Sequence, residues 1–236
     1  MAPRRDGGFG LTMVRSRVDL LLHPPDDPAR HRPDPRGRLS TVGHGRVFRA
    51  FARGARQAGV RFMVIGGTFR DVAVRAASTR DIDVVLVDRD EIDPQIMLAA
   101  GFSRVPGSRH AWRYATGGRT VHLEIAAVAS SKEPGGPFSV AFQHARRVTI
   151  EGLKVTVPQI EDYVILKLLA AAADGRRRAR DLVDVQYALD AFPDRARDGL
   201  SVAAVRARLR DLYGKRGPEL KELVALYRTV PRPVFD

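Results

Sequence analysis

The sequence predicts an α/β chain in which a small mixed, twisted sheet with helices on one side is followed by a C-terminal helical bundle. Three observations lead there. Residues 62–87 read strand, helix, strand. Residues 120–128 alternate apolar and polar side chains with the period of two that suits a half-buried strand. Beyond Pro158 every apolar pattern has helical spacing. The expected boundaries are an N-terminal arm over residues 1–43, a sheet-bearing domain over 44–157 and a helical subdomain over 158–236. With 236 residues, 44% of them hydrophobic, the chain can bury the core of one or two ordinary domains.

Proline sets the arm apart. It holds six of the fifteen prolines, and Pro24-Pro25-Asp26-Asp27-Pro28 and Arg32-Pro33-Asp34-Pro35 suit neither helix nor central strand. The arm therefore reads as mostly irregular, with a short ordered piece at Leu11–Leu22, and Met13 offers an alternative start. From His44 to Ala58, Val47, Phe48, Phe51 and Ala55 share one helical face, with Arg46, Arg49, Arg53 and Arg56 mostly opposite. Gly59 suits that helix's C-terminal end.

Phe62–Ile65 is a short apolar strand, broken by Gly66-Gly67. Thr68–Ala77 then carries Phe69, Val72, Ala73 and Ala76 at helical spacing, and Asp81–Val87 is the next strand. Asp93–Ala100 reads as a helix ended by Gly101, with short strands at Phe102–Val105 and Ala111–Ala115. After the alternating Thr120–Val128, the glycine- and proline-rich Ser130–Pro137 reads as a mobile loop or one over an opening. Arg146–Val157 is a hairpin turning at Glu151-Gly152. Helices are expected over Ile160–Ala173, Arg177–Ala191, Ser201–Tyr213 and Glu219–Arg228.

The chemistry concentrates in residues 62–87. Strand alternation puts Asp81 and Asp83 on one face and Ile82, Val84 and Leu86 on the other. Two carboxylates so spaced can grip one hard cation, Mg²⁺ or Mn²⁺, from the same side. Gly66, Gly67 and Thr68, at the mouth of a helix, offer backbone N–H groups and a hydroxyl to a phosphate. A phosphate cradle beside metal carboxylates is the equipment for nucleotide transfer, which needs a third carboxylate from a neighbouring strand. Glu124, in His122-Leu123-Glu124, is that candidate, as a metal ligand or as a base; its alternative is a solvated strand face.

Arg80 is a candidate phosphate cation. Lys167 is a lone charge on an otherwise apolar helix, which either snorkels to the surface or reaches a nucleotide triphosphate. In Arg176–Asp184, Arg177 with Asp181 and Arg180 with Asp184 are i,i+4 pairs, which read as a salt-bridged helix surface. Trp112, alternating with His110 and Tyr114, suits core or rim packing better than base stacking. Without cysteine and without a second histidine at ligand spacing, a zinc site is not expected.

Strand, Gly-Gly-Thr, helix and then Asp-Ile-Asp at the start of a strand resembles the polymerase-β-type nucleotidyltransferase signature. The Gly-Gly-Thr form, with Asp81 fourteen positions after Gly67, is similar to the AbiEii and MenT-type toxin nucleotidyltransferases. The resemblance covers roughly Val64 to Leu189. It implies a metal-dependent transfer of a nucleoside monophosphate from an NTP, with release of pyrophosphate. It implies metal roles for Asp81, Asp83 and Glu124, although Asp is more usual at the third position. It also implies nucleotide contacts from Gly66, Gly67, Thr68, Arg80, Lys167 and Asp181, with Arg180-Asp181 standing where Lys-Asp is usual.

Charge bears on the acceptor. A formal net charge of +13 favours a polyanion. By analogy with MenT-type toxins, the expected acceptor is RNA, at the tRNA 3′ end, with a cognate antitoxin as partner. The arginine-rich arm suits either one. A second reading keeps the chemistry and moves it to a protein or small-molecule hydroxyl, though cationic aminoglycosides would meet repulsion. A third is an inactive, nucleotidyltransferase-like binding module. The absence of cysteine suits the cytoplasm, and no apolar run has the length of a membrane span or a signal peptide.

Overall fold

A computed structural model describes residues 32–127 and 136–232. The expected ordered piece at Leu11–Leu22, and most of the Ser130–Pro137 loop, lie outside the described residues. Helix α1 (His44–Gln57) leads into strand β1 (Phe62–Val64), and α2 (Gly66–Ala73) into β2 (Asp81–Leu86). Helix α3 (Pro94–Ala99) precedes β3 (Ser103–Arg104), β4 (Ala111–Thr116) and β5 (Arg119–Ala127). A short α4 (Pro137–Gln143) precedes the hairpin β6 (Arg146–Ile150) and β7 (Leu153–Val157). Five helices follow: α5 (Ile160–Ala173), α6 (Arg178–Ala191), α7 (Pro193–Arg197), α8 (Val202–Asp211) and α9 (Gly217–Arg228). Among the described residues no helix is long and apolar enough to cross a membrane.

The strands form one mixed sheet in the order β3-β4-β5-β2-β1-β7-β6. The pairs β2–β5 and β1–β7 are parallel, and the rest are antiparallel. This is the mixed α/β architecture that the sequence predicts. Residues from Arg32 onward form one compact unit, whose core runs without a break from the sheet into the helices.

Helix α1 buries the face expected of it, Val47, Phe48, Phe51 and Ala55, and both phenylalanines meet Phe62 edge-on. It ends at Gly59, whose φ of 64° is the left-handed value glycine adopts at low cost. Helix α2 differs from expectation at both ends, starting at Gly66 and stopping at Ala73 instead of Ala77. The early stop has a local cause. Asp71, 1% exposed, accepts hydrogen bonds from Ala77 N–H and Ser40 N–H, drawing the following chain back across the helix. Two short helices, α4 and α7, went unread in the sequence; each is under two turns, too short for a periodic pattern.

The β6–β7 hairpin turns where expected, with both Glu151 (φ 51°) and Gly152 (φ 78°) left-handed, as a two-residue turn requires. Glutamate there costs about 1–2 kcal/mol in backbone energy. Its carboxylate offsets that cost by accepting from Leu39 N–H and pairing with Arg49, which joins the hairpin tip to α1 and to the strap before it.

In the helical half, fully buried Asp162 on α5 accepts two hydrogen bonds from Arg208 of α8 and one from Tyr213 Oη, at 2.7–2.9 Å. Asp162→Ala strands a partly buried guanidinium and a buried phenol. It should cost about 3–5 kcal/mol, the usual result of removing one partner of a buried ion pair. Urea unfolding measures the loss, and Arg208→Met in the same chain should recover part of it.

Candidate active site

Strands β2 and β5 run parallel with Asp81 opposite His122 and Asp83 opposite Glu124. In-register residues of neighbouring strands project to the same side, so all four side chains share one face of the sheet. The opposite face, with Ile82, Val84, Leu123 and Ile125, is core. Asp81 and Asp83 are partly buried, whereas His122 and Glu124 are exposed. The sheet thus aligns the three carboxylates that the sequence singled out.

The Gly-Gly-Thr turn is built around Asp83. Gly67 N–H donates to Asp83 Oδ2 at 2.9 Å, Ile65 N–H to Asp83 O at 3.1 Å, and Asp83 N–H to Thr68 Oγ1 at 3.1 Å. A Cβ on Gly66, whose φ is 59°, would collide with the Asp83 carboxylate. One on Gly67 would lie 2.6 Å from Thr79 Oγ1. Gly66 is therefore required by the close approach of β2 to the start of α2, and Gly67 by the Thr79 side chain that precedes β2. Thr68 differs from the phosphate-facing hydroxyl expected: it is fully buried, and its oxygen receives the Asp83 amide.

Asp83 carries the electrostatic signature of this arrangement. Burial, above all, raises its pKa from 3.8 to about 6. Gly67 N–H works against the rise, Glu124 and Asp81 add to it, and Lys167 opposes it. Carboxylates crowded in this way are relieved by a cation, and an all-oxygen donor set fits Mg²⁺ or Mn²⁺. Among the described residues no group of three or more His, Cys, Asp or Glu side chains is gathered tightly enough to hold a metal by itself.

Behind the row lies a buried ionic cluster. Lys167 does not snorkel: it is 8% exposed, and its Nζ lies 2.6 Å from Asp184 Oδ2 and 2.8 Å from Asp181 Oδ1. Arg70, on α2, donates to Asp184 Oδ1 at 2.7 Å. Burial opposes the Arg70 charge, but Asp184 outweighs it and the guanidinium pKa is raised. The cluster ties α2, α5 and α6 together.

Arg177 keeps its expected pairing with Asp181, at 3.8 Å. The expected Arg180–Asp184 pair is not formed: Arg180 is exposed, while Asp184 turns inward with Asp181 and Val185 on the buried face of α6. Sequence reasoning missed Arg70 and Asp184 in their true roles. The signal for Arg70 was its place three residues after Gly67, on the helix that the glycines open.

Arg80 is exposed at the start of β2 and stands outside this cluster. Trp112 is core, with Arg104 stacked 5.1 Å from its ring centroid. His44, unread as a site residue, is buried at the start of α1. Burial lowers its pKa, and Asp71 and Asp81 pull against that fall.

Asp83 is neutral in both folded and unfolded chains below about pH 3. Between about pH 3 and pH 6 the unfolded chain ionises first, so stability falls with rising pH through that window and the penalty persists above it. Asp83→Asn should therefore raise stability by about 2 kcal/mol at pH 7.5 in EDTA and leave it unchanged at about pH 3. Thermal melts across pH check this; an equal effect at both values would contradict it.

The family model described as "Nucleotidyl transferase AbiEii toxin, Type IV TA system" matches residues 50–231. No curated protein matches the sequence. Among solved structures, an antigenic nucleotidyltransferase-like protein from Paracoccidioides brasiliensis is similar, with 18% identity and a TM-score of 0.51 over 79% of this chain and 94% of its own, a likeness of fold. ANT(2″)-Ia in complex with adenylyl-2″-tobramycin is more distant, with 14% identity and a TM-score of 0.47 over 80% and 98% of the two chains. So is a tRNA nucleotidyltransferase complexed with a primer tRNA and an incoming ATP analog, with 19% identity and a TM-score of 0.36 over 75% and 59%. The family match runs from within α1 through α9 and takes in both the glycine turn and the Asp81–Asp83 strand; the chain belongs to the AbiEii nucleotidyl transferase toxin family and is a nucleotidyltransferase.

Proposed function

We infer that this enzyme transfers nucleoside monophosphate from an NTP to an RNA acceptor, the tRNA 3′ end, and that a cognate antitoxin holds it in check in the cytoplasm. The observation that carries the reading is the aligned row of Asp81, Asp83 and Glu124 beside the start of α2. The acceptor hydroxyl oxygen bonds to the α-phosphorus as the bond to pyrophosphate breaks. Asp81 and Asp83, with Glu124 beside them, would hold a divalent cation, which would supply charge neutralisation to the transferring phosphate.

Side chains within 44–157 then divide the work, with the helices of 158–236 backing them. Asp83, fixed by Gly67 N–H, is the immobile member of the row. Glu124, exposed and next to Asp83, can take the acceptor's proton. The start of α2 at Gly66 lies open to the phosphates, while Gly67, through its N–H on Asp83, and Thr68 hold that backbone to β2. Lys167 lends positive potential from behind Asp83 while engaged with Asp181 and Asp184. Arg80 offers a guanidinium at the rim. The net charge of +13 favours RNA over cationic acceptors.

The test is incubation with Mg²⁺, total tRNA and each labelled NTP in turn. Label should enter tRNA with a preferred nucleotide, and Asp81→Asn or Asp83→Asn should lower transfer by about 10²–10³, the scale of losing one group aimed at developing charge. Label on protein instead would move the acceptor to a protein hydroxyl. A folded protein that labels neither, with Mn²⁺ as well as Mg²⁺, would leave only the binding-module reading.

A further inference from the structure

One exposed surface is charged in a way that the catalytic row does not use. Helix α1 contains no acidic residue, and Arg46, Arg49, Arg53 and Arg56 are all exposed along it while Val47, Phe48, Phe51 and Ala55 are buried. Spacings of three and four residues keep the four arginines on one side of the helix. At a rise of 1.5 Å per residue the row is about 15 Å long, with neighbours about 5–6 Å apart.

The row continues into the strap that precedes α1. Arg36, Arg38 and Arg49 line an open recess of about 470 Å³ with Glu151 and Gly152. The one carboxylate there is already engaged by Leu39 N–H and Arg49. Arg46, Arg53 and Arg56 make no ion pair among the described residues.

The strap also connects this surface to the active site. Ser40 N–H donates to Asp71, Thr79 N–H donates to Thr41 Oγ1 at 3.1 Å, and Thr79 Oγ1 donates to Asp81 O at 2.9 Å. The strap thus joins the main chain at Asp81 to the His44 end of α1, where the arginine row begins. Helix α1 packs through Phe48 and Phe51 on Phe62, on the sheet face opposite the carboxylate row, so a backbone leaving that row reaches the arginines round the end of the sheet. An acceptor that places only its terminal hydroxyl at the catalytic row must carry the rest of its backbone off in some direction. A line of guanidiniums at near-regular spacing, most of them unpaired, suits successive phosphates of that backbone.

We propose that the α1 arginine row, with Arg36 and Arg38, is the docking track for the phosphodiester backbone of the RNA acceptor. This rests on the RNA reading above. An acidic protein partner would also be drawn to positive charge, but the regular spacing of the row and its link through the strap to the active-site end of the sheet favour a phosphodiester backbone.

Binding of unfractionated tRNA is measured against salt for the full chain, for R46Q/R53Q/R56Q, and for R206Q/K221Q/R228Q. The last removes the same charge from exposed positions on α8 and α9. Circular dichroism melts establish that all three are folded.

The α1 triple should bind tRNA about 10-fold or more weakly near 150 mM salt, and its log K against log[salt] slope should shrink by about 2–3, roughly one for each arginine that no longer neutralises a phosphate. In the labelling assay its KM for tRNA should rise with kcat held, while the α8–α9 triple stays within about twofold of the parent in affinity. Equal losses in both triples would reduce the effect to net charge and overturn the track. Unchanged tRNA affinity in the α1 triple, with tRNA still labelled by the parent, would overturn it while leaving the RNA reading intact and give the row to an acidic protein. A parent chain that neither labels nor binds tRNA in a salt-dependent way would overturn both.

Discussion

The contact between the Asp83 carboxylate and the backbone of Gly66 and Gly67 is the constraint on which the active-site end of the fold depends. It lets β2 approach the start of α2 closely enough for Gly67 N–H to bind Asp83, and for the Asp83 amide to bind Thr68. An unpaired helix N-terminus is satisfied by a carboxylate on another element, a tertiary form of helix capping. The same contact holds Asp83 half out of water beside Asp81 and Glu124, an arrangement that costs stability. Such strain is expected where residues are arranged for charge chemistry and not for folding.

The second organising feature is the cluster of Arg70, Lys167, Asp181 and Asp184. Two cations and two anions cancel, so the interior between α2, α5 and α6 carries no net charge from them. Buried ion pairs of this kind add little to stability against an apolar alternative, but removing one member is costly. Their effect here is registration: α2 cannot slide against the C-terminal helices without separating Arg70 from Asp184. Asp181 carries part of that cost. It is fully buried, and one oxygen has no hydrogen-bond donor among the described residues.

Much of this was legible in the sequence wherever local pattern decides structure. Alternation in Asp81–Val87 and Thr120–Val128 put Asp81, Asp83 and Glu124 on the right faces, and parallel pairing in register then aligned them. The Glu151-Gly152 turn and the apolar face of α1 were equally readable. What could not be read was the choice of partner over long range. An i,i+4 rule assigns Asp184 to Arg180, yet burial of that face of α6 gives it to Lys167 and Arg70. Thr68 likewise looks like a free hydroxyl until β2 comes to lie against it. Asp71, which cuts α2 short, acts through Ser40 and Ala77, and no local pattern announces that.

Lys167 and Asp184 belong to the helices, while Arg70 and Asp83 belong to the sheet half, and this division has a consequence for how the molecule opens. Peeling the helices away would part Arg70 from its counter-ion and expose the packed face around it, so partial unfolding along that seam is penalised more than the apolar contacts alone would dictate. The two halves should therefore exchange their deepest amide hydrogens as a single cooperative unit. Any ligand that steadies β2 and α2 then slows exchange in α5 and α6 as well, though it touches neither.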